Sequence, residues 1–243
     1  MLNIKCPNNI LIDNPTCIDT DSVSIQDVGH IVIASCTFSS NRFNNDQFNT
    51  LEIPLPCSLD NAVAKRKSEF LAGRYLAKIA MKHLGVEGLN IPIDEHKAPA
   101  WPAGLLGSIS HSKNTALCVI TKSQNHNFIG IDIEHWLSTS DANSLVNNIV
   151  VDQSEYQIML PHISFEQAIT LIFSAKESLY KAIFKAFSHY VDFDVAMVTE
   201  LDFTTKQLTL TLCQNLSEAM HIGRQFICQF KLSEQLVTTL ISD

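Results

Sequence analysis

The stretch IGIDIEHW, residues 129–136, decides how the rest of this chain is interpreted. Three isoleucines alternate in it with Gly130, Asp132 and Glu134. Successive side chains of an extended chain point to opposite faces, so the pattern predicts a β-strand with one apolar face and one face carrying two acids. Two interpretations of the acids stay open. They are either solvated on a half-buried strand, or ligands of a cation such as Mg²⁺, which prefers carboxylate oxygens.

The composition is that of a globular protein without a membrane span. Of 243 residues, 46% are hydrophobic and 17% charged, and no apolar run approaches the roughly 18 residues of a membrane helix. The N-terminus lacks the basic and apolar regions of a signal peptide. Seven scattered cysteines without a Cys-x-x-Cys pair indicate reduced thiols rather than a disulfide framework or a zinc knuckle. We therefore expect a cytoplasmic protein.

The net negative charge of the chain comes from its second half. Residues 1–125 hold eleven Lys and Arg against eleven Asp and Glu, and the remainder holds six against fourteen, which gives the net charge of −8. This balance argues against nucleic-acid binding but leaves room for a local basic site. The shift coincides with the turn QNHN at 124–127. We place the boundary between two halves there, at 1–124 and 125–243.

A long amphipathic helix dominates the first half. It is predicted from Ser58 or Asp60 to His83, with Gly85 as its C-terminal cap. A helical wheel separates an apolar side from a basic row, Lys67, Arg74, Lys78 and Lys82, for which a solvated face is the ordinary interpretation. The segments at 31–38 and 115–121 are typical of strands.

The second half contains another long helix followed by strands. Ser164 and Gln167 form a capping-box pattern that opens a helix running to about Phe187. Four strand-like segments follow it, so the overall class is α+β. Glu177 and Lys181 lie one turn apart on this helix. They form either a surface pair or a third carboxylate beside a donor for a phosphate oxygen.

Three motifs together resemble a known enzyme family. GSISHS (107–112), IGIDIE (129–134) and FSAKESLYKA (173–182) resemble the large, single-chain 4′-phosphopantetheinyl transferases of the surfactin/enterobactin type. APAWPAGLLGSISH and EFLAGR are similar to the enterobactin-synthetase branch in particular, in which Ala-Pro-Ala-Trp-Pro replaces the Gly-Lys-Pro loop of many relatives. The matching segments span Arg66 to Phe187, about half of the chain.

The resemblance implies a fold, a reaction and a set of site residues. The fold is two similar α+β halves in a pseudo-twofold arrangement, which bind coenzyme A and Mg²⁺, with Mn²⁺ as an alternative, between them. The reaction transfers phosphopantetheine from coenzyme A to a serine of an apo acyl or peptidyl carrier protein and releases adenosine 3′,5′-bisphosphate. Three acids match the family's metal ligands: Asp132, Glu134 and Glu177. Six residues match coenzyme A positions: Arg66, Arg74, Lys97, Ser110, His111 (toward the 3′-phosphate) and Lys181 (at the diphosphate).

The chemistry of the reaction also requires a base for the serine hydroxyl. Glu177 is the first candidate because it lies on a rigid helix after a lysine, and Glu155, which matches an acidic position of the family, is the second. We expect a monomer that modifies carriers of siderophore or other nonribosomal peptide synthesis, of polyketide synthesis or of polyunsaturated fatty acid synthesis. Two rival hypotheses are a Mg²⁺ phosphohydrolase and a non-catalytic binder of coenzyme A or carrier protein.

Overall fold

The computed structural model describes residues 16–186 and 191–243. Contacts between Cα atoms divide the chain into two compact units, Met1–His126 and Asn127–Asp243, and each unit has its own hydrophobic core. Each unit combines an antiparallel sheet with helices, so the predicted α+β class is confirmed. The boundary at 124/125 and the pseudo-twofold arrangement stay predictions. No helix of the described ranges is long and apolar enough to cross a membrane.

The first unit is a four-stranded sheet that carries one long helix. Its elements in chain order are β1 (Ile18–Val28), β2 (Ile31–Phe38), α1 (Asp46–Thr50), α2 (Ala64–His83), β3 (Leu105–Ser112) and β4 (Thr115–Lys122). The strand order is β1-β2-β4-β3, and all neighbours are antiparallel. The strands predicted at 31–38 and 115–121 are both present.

Helix α2 ends where predicted but begins later. Gly85 follows its last turn with a φ of 77°, the left-handed conformation in which glycine commonly closes a helix. At the other end, Cys57–Leu59 form a separate 3₁₀ turn. Val63 is extended, with a ψ of 155°, and α2 starts after it. The predicted start at Ser58 or Asp60 is therefore wrong by four to six residues.

The basic row of α2 is the solvated face that its pattern suggested only in its second half, where Lys78 is partly exposed and Lys82 is exposed. Lys67 and Arg74 are only 8% and 9% exposed. The Lys67 Nζ donates to the carbonyl oxygen of Asp60 at 2.9 Å, so the lysine holds the segment before the helix. Arg74 donates to the carbonyl oxygen of Ile91. Long basic side chains can enter a core when a loop supplies acceptors, which the helical period does not reveal.

The second unit is a five-stranded sheet with α5 as its longest helix. Its elements are β5 (Ile129–His135), α3 (Thr139–Ile149), α4 (Ser154–Gln157), α5 (Phe165–Ile183), β6 (Ala196–Asp202), β7 (Gln207–Leu212), β8 (Gln225–Leu232) and β9 (Leu236–Ser242). The strand order is β5-β9-β8-β7-β6. The capping box of Ser164 and Gln167 is confirmed, as are the four C-terminal strands. A 3₁₀ turn, Phe184–Ala186, follows α5, and the predicted end near Phe187 lies outside the described residues.

Strand β5 is buried on both faces along most of its length. Ile129, Ile131 and Ile133 are at most 3% exposed, as the alternation predicted. Asp132, on the other face, is only 1% exposed. The interpretation of this acid as a solvated group on a half-buried strand is therefore wrong. The reason is that α5 packs on the polar face of the strand.

Candidate active site

Gly130 is the point at which α5 lies directly on β5. A Cβ atom at this position would be 2.1 Å from the carbonyl oxygen of Ser178 and 2.6 Å from the backbone nitrogen of Ala182. Glycine is therefore required for the close approach of helix and strand. Because side chains two apart on a strand share a face, Asp132 and Glu134 lie on this same side of β5.

A buried hydroxyl cluster fixes α5 against the neighbouring strand β9. The Oγ1 of Thr239 lies 2.8 Å from the Ser174 Oγ and 2.7 Å from the Ser178 Oγ. All three residues are fully buried, and Thr239 is the register partner of Asp132. Buried polar groups that are all hydrogen-bonded specify one packing arrangement. The cluster therefore sets the position of α5 beside the acid.

Lys181 of α5 stands between two carboxylates. Its Nζ lies 2.6 Å from the Oδ1 of Asp132 and 4.0 Å from the Oε2 of Glu177. Burial raises the pKa of Glu177; the charge of Lys181 opposes this rise and that of Asp132 adds to it. Glu177 is about 29% exposed at its side chain, whereas Asp132 is closed off. The three groups form a charged cluster with two acids and one base.

The predicted metal ligands are only partly brought together. Asp132 and Glu177 share Lys181, and Glu134 lies two residues along β5 in a partly exposed position. Within the described ranges, no three His, Cys, Asp or Glu side chains are arranged as ready ligands of a metal ion. Lys181 supplies the positive charge beside Asp132. The three-carboxylate metal site stays a prediction.

Glu155, the second candidate base, lies in a fully buried ion pair. Its exposure is 0%, and its Oε2 is 3.1 Å from the Nζ of Lys176. The backbone nitrogen of Val151 donates to Oε1 at 2.6 Å and that of Val198 donates to Oε2 at 2.8 Å. Both oxygens of Glu155 are therefore engaged. These contacts favour a structural role, and its role as a base stays a prediction.

Lys176 is the residue of this pair that the sequence left without an assignment. It is 4% exposed, and its Nζ also donates to the carbonyl oxygens of Ile149 at 2.7 Å and Phe193 at 3.2 Å. Burial lowers the pKa of Lys176, and the charge of Glu155 opposes that shift. The ammonium group thus ties together α3, α4 and the segment before β6. It does so from the position directly before Glu177.

Arg74 and Lys97 line a cavity of about 460 Å³ in the first unit. The Arg74 Nε donates to the carbonyl oxygen of Ile91 at 2.7 Å, and its guanidinium lies 4.5 Å from the centroid of the Phe70 ring. Burial lowers the pKa of Arg74 to about 10; the neighbouring Cys118 opposes this shift, and the charge of Arg66 adds to it. Most other lining residues are apolar. The cavity thus offers cations within a largely apolar wall.

Arg66 and His111 form a second basic group, where α2 crosses β3. The Arg66 NH1 lies 3.2 Å from the Nε2 of His111. The helix can approach the strand closely because residue 73 is glycine. A Cβ at Gly73 would lie 2.7 Å from the Ile109 side chain. Ser110 is 4% exposed and faces the opposite side of β3 from His111. The structure therefore joins His111, but not the Ser110 side chain, with Arg66.

The sequence patterns did not identify two charged residues of these clusters, Lys176 and Glu69. Lys176 has no local signal, because its partner Glu155 is 21 residues away in the chain. Glu69 lies beside both Arg66 and His111, at 3.6 and 3.7 Å respectively. Its spacing of three residues from Arg66 on a helix was a usable signal for that pair, though not for the histidine.

Comparison with known proteins covers both units. Residues 56–121 match the 4′-phosphopantetheinyl transferase N-terminal domain, and residues 128–238 match the 4′-phosphopantetheinyl transferase superfamily. Enterobactin synthase component D of Salmonella typhi is 40% identical over 168 residues, 68% of this chain and 68% of that protein. The protein of the same name from Escherichia coli (strain K12) is 40% identical over 132 residues, 54% of this chain and 62% of the relative. A 4′-phosphopantetheinyl transferase of Mycobacterium tuberculosis is 31% identical over 163 residues, 63% of this chain and 66% of the relative.

Proposed function

This chain belongs to the 4′-phosphopantetheinyl transferase superfamily, in the branch of enterobactin synthase component D, and from that premise we propose an active site centred on Asp132, Glu177 and Lys181. The enzyme transfers the 4′-phosphopantetheine group from coenzyme A to a serine of an apo carrier protein and releases adenosine 3′,5′-bisphosphate. One observation carries the placement of the site: the Lys181 ammonium lies between two carboxylates, one of them buried.

Asp132, Glu134 and Glu177 are proposed to hold Mg²⁺, with Mn²⁺ as the alternative. The donor chemistry fits, because a hard cation prefers carboxylate oxygens and Mg²⁺ commonly takes one or two of them with water and phosphate oxygens. Two acids share one lysine, so the cluster has negative charge left for a cation. The metal supplies positive charge against the diphosphate oxygens of coenzyme A.

Glu177 is the proposed base and Lys181 the proposed diphosphate donor. The serine Oγ bonds to the phosphorus that carries the pantetheine arm, and the bond from this phosphorus to the bridging oxygen breaks. Glu177 takes the hydroxyl proton, and its partial exposure makes the carboxylate accessible to the serine. Lys181 stabilises the charge on the leaving bisphosphate. We prefer Glu177 to Glu155 because the oxygens of Glu155 are engaged and buried.

The first unit is proposed to hold the nucleotide part of coenzyme A. Its cavity of about 460 Å³ falls within the roughly 300–1,000 Å³ typical of small-molecule sites. Arg74 and Lys97 offer phosphate donors there, and Arg66 and His111 offer another pair. Arg66 and Arg74 lie two turns apart on α2, about 12 Å along its axis. Ser110 stays a predicted contact.

The remaining proposals concern the partner and the organisation of the chain. We propose a carrier protein of siderophore-type nonribosomal peptide synthesis, because the relatives that match over 68% of this chain are enterobactin synthase components. Two halves, 1–124 and 125–243, acting as one monomer, are proposed from the sequence alone. The cytoplasmic location stays a prediction.

The function and its metal can be tested in one assay. We expect an apo carrier incubated with this protein, coenzyme A and Mg²⁺ to gain the mass of one phosphopantetheine in intact-mass measurements. EDTA should remove this gain and excess Mg²⁺ should restore it. A carrier whose acceptor serine is replaced by alanine is the control. Transfer that is indifferent to chelation would refute the metal, and no gain on any of a panel of apo carriers would refute the function.

Arg74→Ala is expected to weaken coenzyme A binding more than it lowers turnover. The substitution removes a cation from the cavity wall, so KM for coenzyme A should rise about tenfold while kcat changes less than about threefold. Steady-state kinetics measures both values, and a melting curve verifies the fold. Lys82→Ala, which removes an exposed cation from the same helix, is the matched control. An unchanged KM would rule out the phosphate role of Arg74.

A further inference from the structure

Glu69 is a nearly buried carboxylate in contact with two basic groups. Its side chain is about 10% exposed. Its Oε2 lies 3.6 Å from the NH1 of Arg66, on the same helix, and 3.7 Å from the Nε2 of His111, on strand β3. Arg66 is about half exposed and His111 about a third exposed, so both reach solvent while Glu69 lies behind them.

The burial of the Glu69 carboxylate depends on the basic groups beside it. A carboxylate removed from water is costly unless charged or polar groups compensate it. Arg66 and His111 provide that compensation. In turn, the NH1 of Arg66 lies 3.2 Å from the Nε2 of His111, within hydrogen-bond distance of the ring. The carboxylate of Glu69 lies within 3.7 Å of both groups and so holds the guanidinium and the ring beside each other.

We propose that Glu69 is a positioning residue for phosphate recognition, which holds Arg66 and His111 so that both donate to one phosphate group of coenzyme A. This inference deepens the proposed function, since it rests on the assignment of Arg66 and His111 to a phosphate. The comparable case is a carboxylate behind a metal-binding histidine, which fixes the ring and whose loss commonly weakens binding 10- to 100-fold. Glu69 itself lies behind the donors and has no contact with the reacting atoms.

The test is Glu69→Gln, which keeps the shape of the side chain and removes its charge. KM for coenzyme A should rise about tenfold, with kcat within twofold. KM for 3′-dephospho-coenzyme A should stay nearly constant, because this substrate lacks the phosphate that His111 is predicted to bind. The preference for coenzyme A over the dephospho form should therefore fall by the same factor. A purely structural role would change KM for the two substrates equally, which would overturn the inference.

Asp27→Asn is the matched control. The Oδ2 of Asp27 lies 2.7 Å from the Nε2 of His83, which is at the other end of the same helix. The substitution therefore removes a carboxylate beside a different histidine, and both KM values should stay unchanged. Glu69→Asp keeps the charge one carbon further back and should show the same selective loss to a smaller degree. It serves as the test variant if Glu69→Gln does not fold.

Arg66→Ala and His111→Ala distinguish a failure of the phosphate assignment from a failure of the role of Glu69. If neither raises KM for coenzyme A, the phosphate assignment of the proposed function fails. If both raise it and Glu69→Gln and Glu69→Asp do not, the assignment stands and the role of Glu69 is refuted.

Discussion

Asp132→Asn is expected to lower the rate of phosphopantetheine transfer by roughly 10²- to 10³-fold, the effect typical of losing one central electrostatic group. Asparagine has nearly the shape of aspartate but no charge. The buried carboxylate lies 2.6 Å from Lys181, so its loss leaves that ammonium without its close counter-charge and removes a proposed metal ligand. Because Lys181 is about a quarter exposed, water can solvate it and the fold should persist.

The measurement is the initial rate of carrier modification at saturating coenzyme A and Mg²⁺, with a melting curve for each variant. Glu234→Gln, which neutralises an exposed acid in the same unit, is the control and should transfer at the parental rate. A folded Asp132→Asn protein with parental activity would show that the site has been placed wrongly.

Lys176→Met should lower the free energy of unfolding of this chain by about 3–5 kcal/mol, the usual result of removing one member of a buried ion pair. Methionine fills a similar volume but leaves the carboxylate of Glu155, which is 0% exposed, without its ammonium partner. The carbonyl oxygens of Ile149 and Phe193 lose a donor as well. Urea unfolding measures the change.

The double variant Glu155→Gln/Lys176→Met should recover part of this loss, because no buried charge remains. Lys185→Met, which replaces an exposed lysine shortly after α5, is the matched control and should change stability little. A change below about 1 kcal/mol for Lys176→Met would contradict the structural role of the pair. Glu155→Gln alone decides between the two roles of the acid, since lost transfer with unchanged stability would make it a base.

Local features of the fold were predictable because they depend on neighbours in the chain. The capping box at Ser164 is complete within four residues, and the alternation of β5 is complete within seven. The left-handed glycine after α2 is likewise a local signal. The predicted start of α2 was wrong because the sequence pattern before Ala64 does not reveal the extended conformation of Val63. Element ends depend on such single backbone choices.

The candidate site was predictable as a set of residues but not as a geometry. The motifs identified Asp132, Glu177 and Lys181, which the structure brings together across 49 residues of chain. They gave no indication that Lys181 pairs with Asp132 more closely than with Glu177, its neighbour one turn away. Glu155 matched a family position as an acid, but its burial against Lys176 favours a structural role. Spacing along the chain therefore identified which groups are present and not which groups meet.

The sequence by itself determined the class of the fold, the positions of β2, β4, β5 and α5, and the family, since periodicity, caps and motif order are written in consecutive residues. Only the tertiary structure decided that Asp132 is buried, that Gly130 is the contact point of helix and strand, and that Glu69 lies behind Arg66 and His111. The reason is that burial and ion pairing depend on how separate elements pack. A carboxylate on a strand is solvated or enclosed according to what covers that face, and in IGIDIEHW the covering helix begins more than thirty residues later.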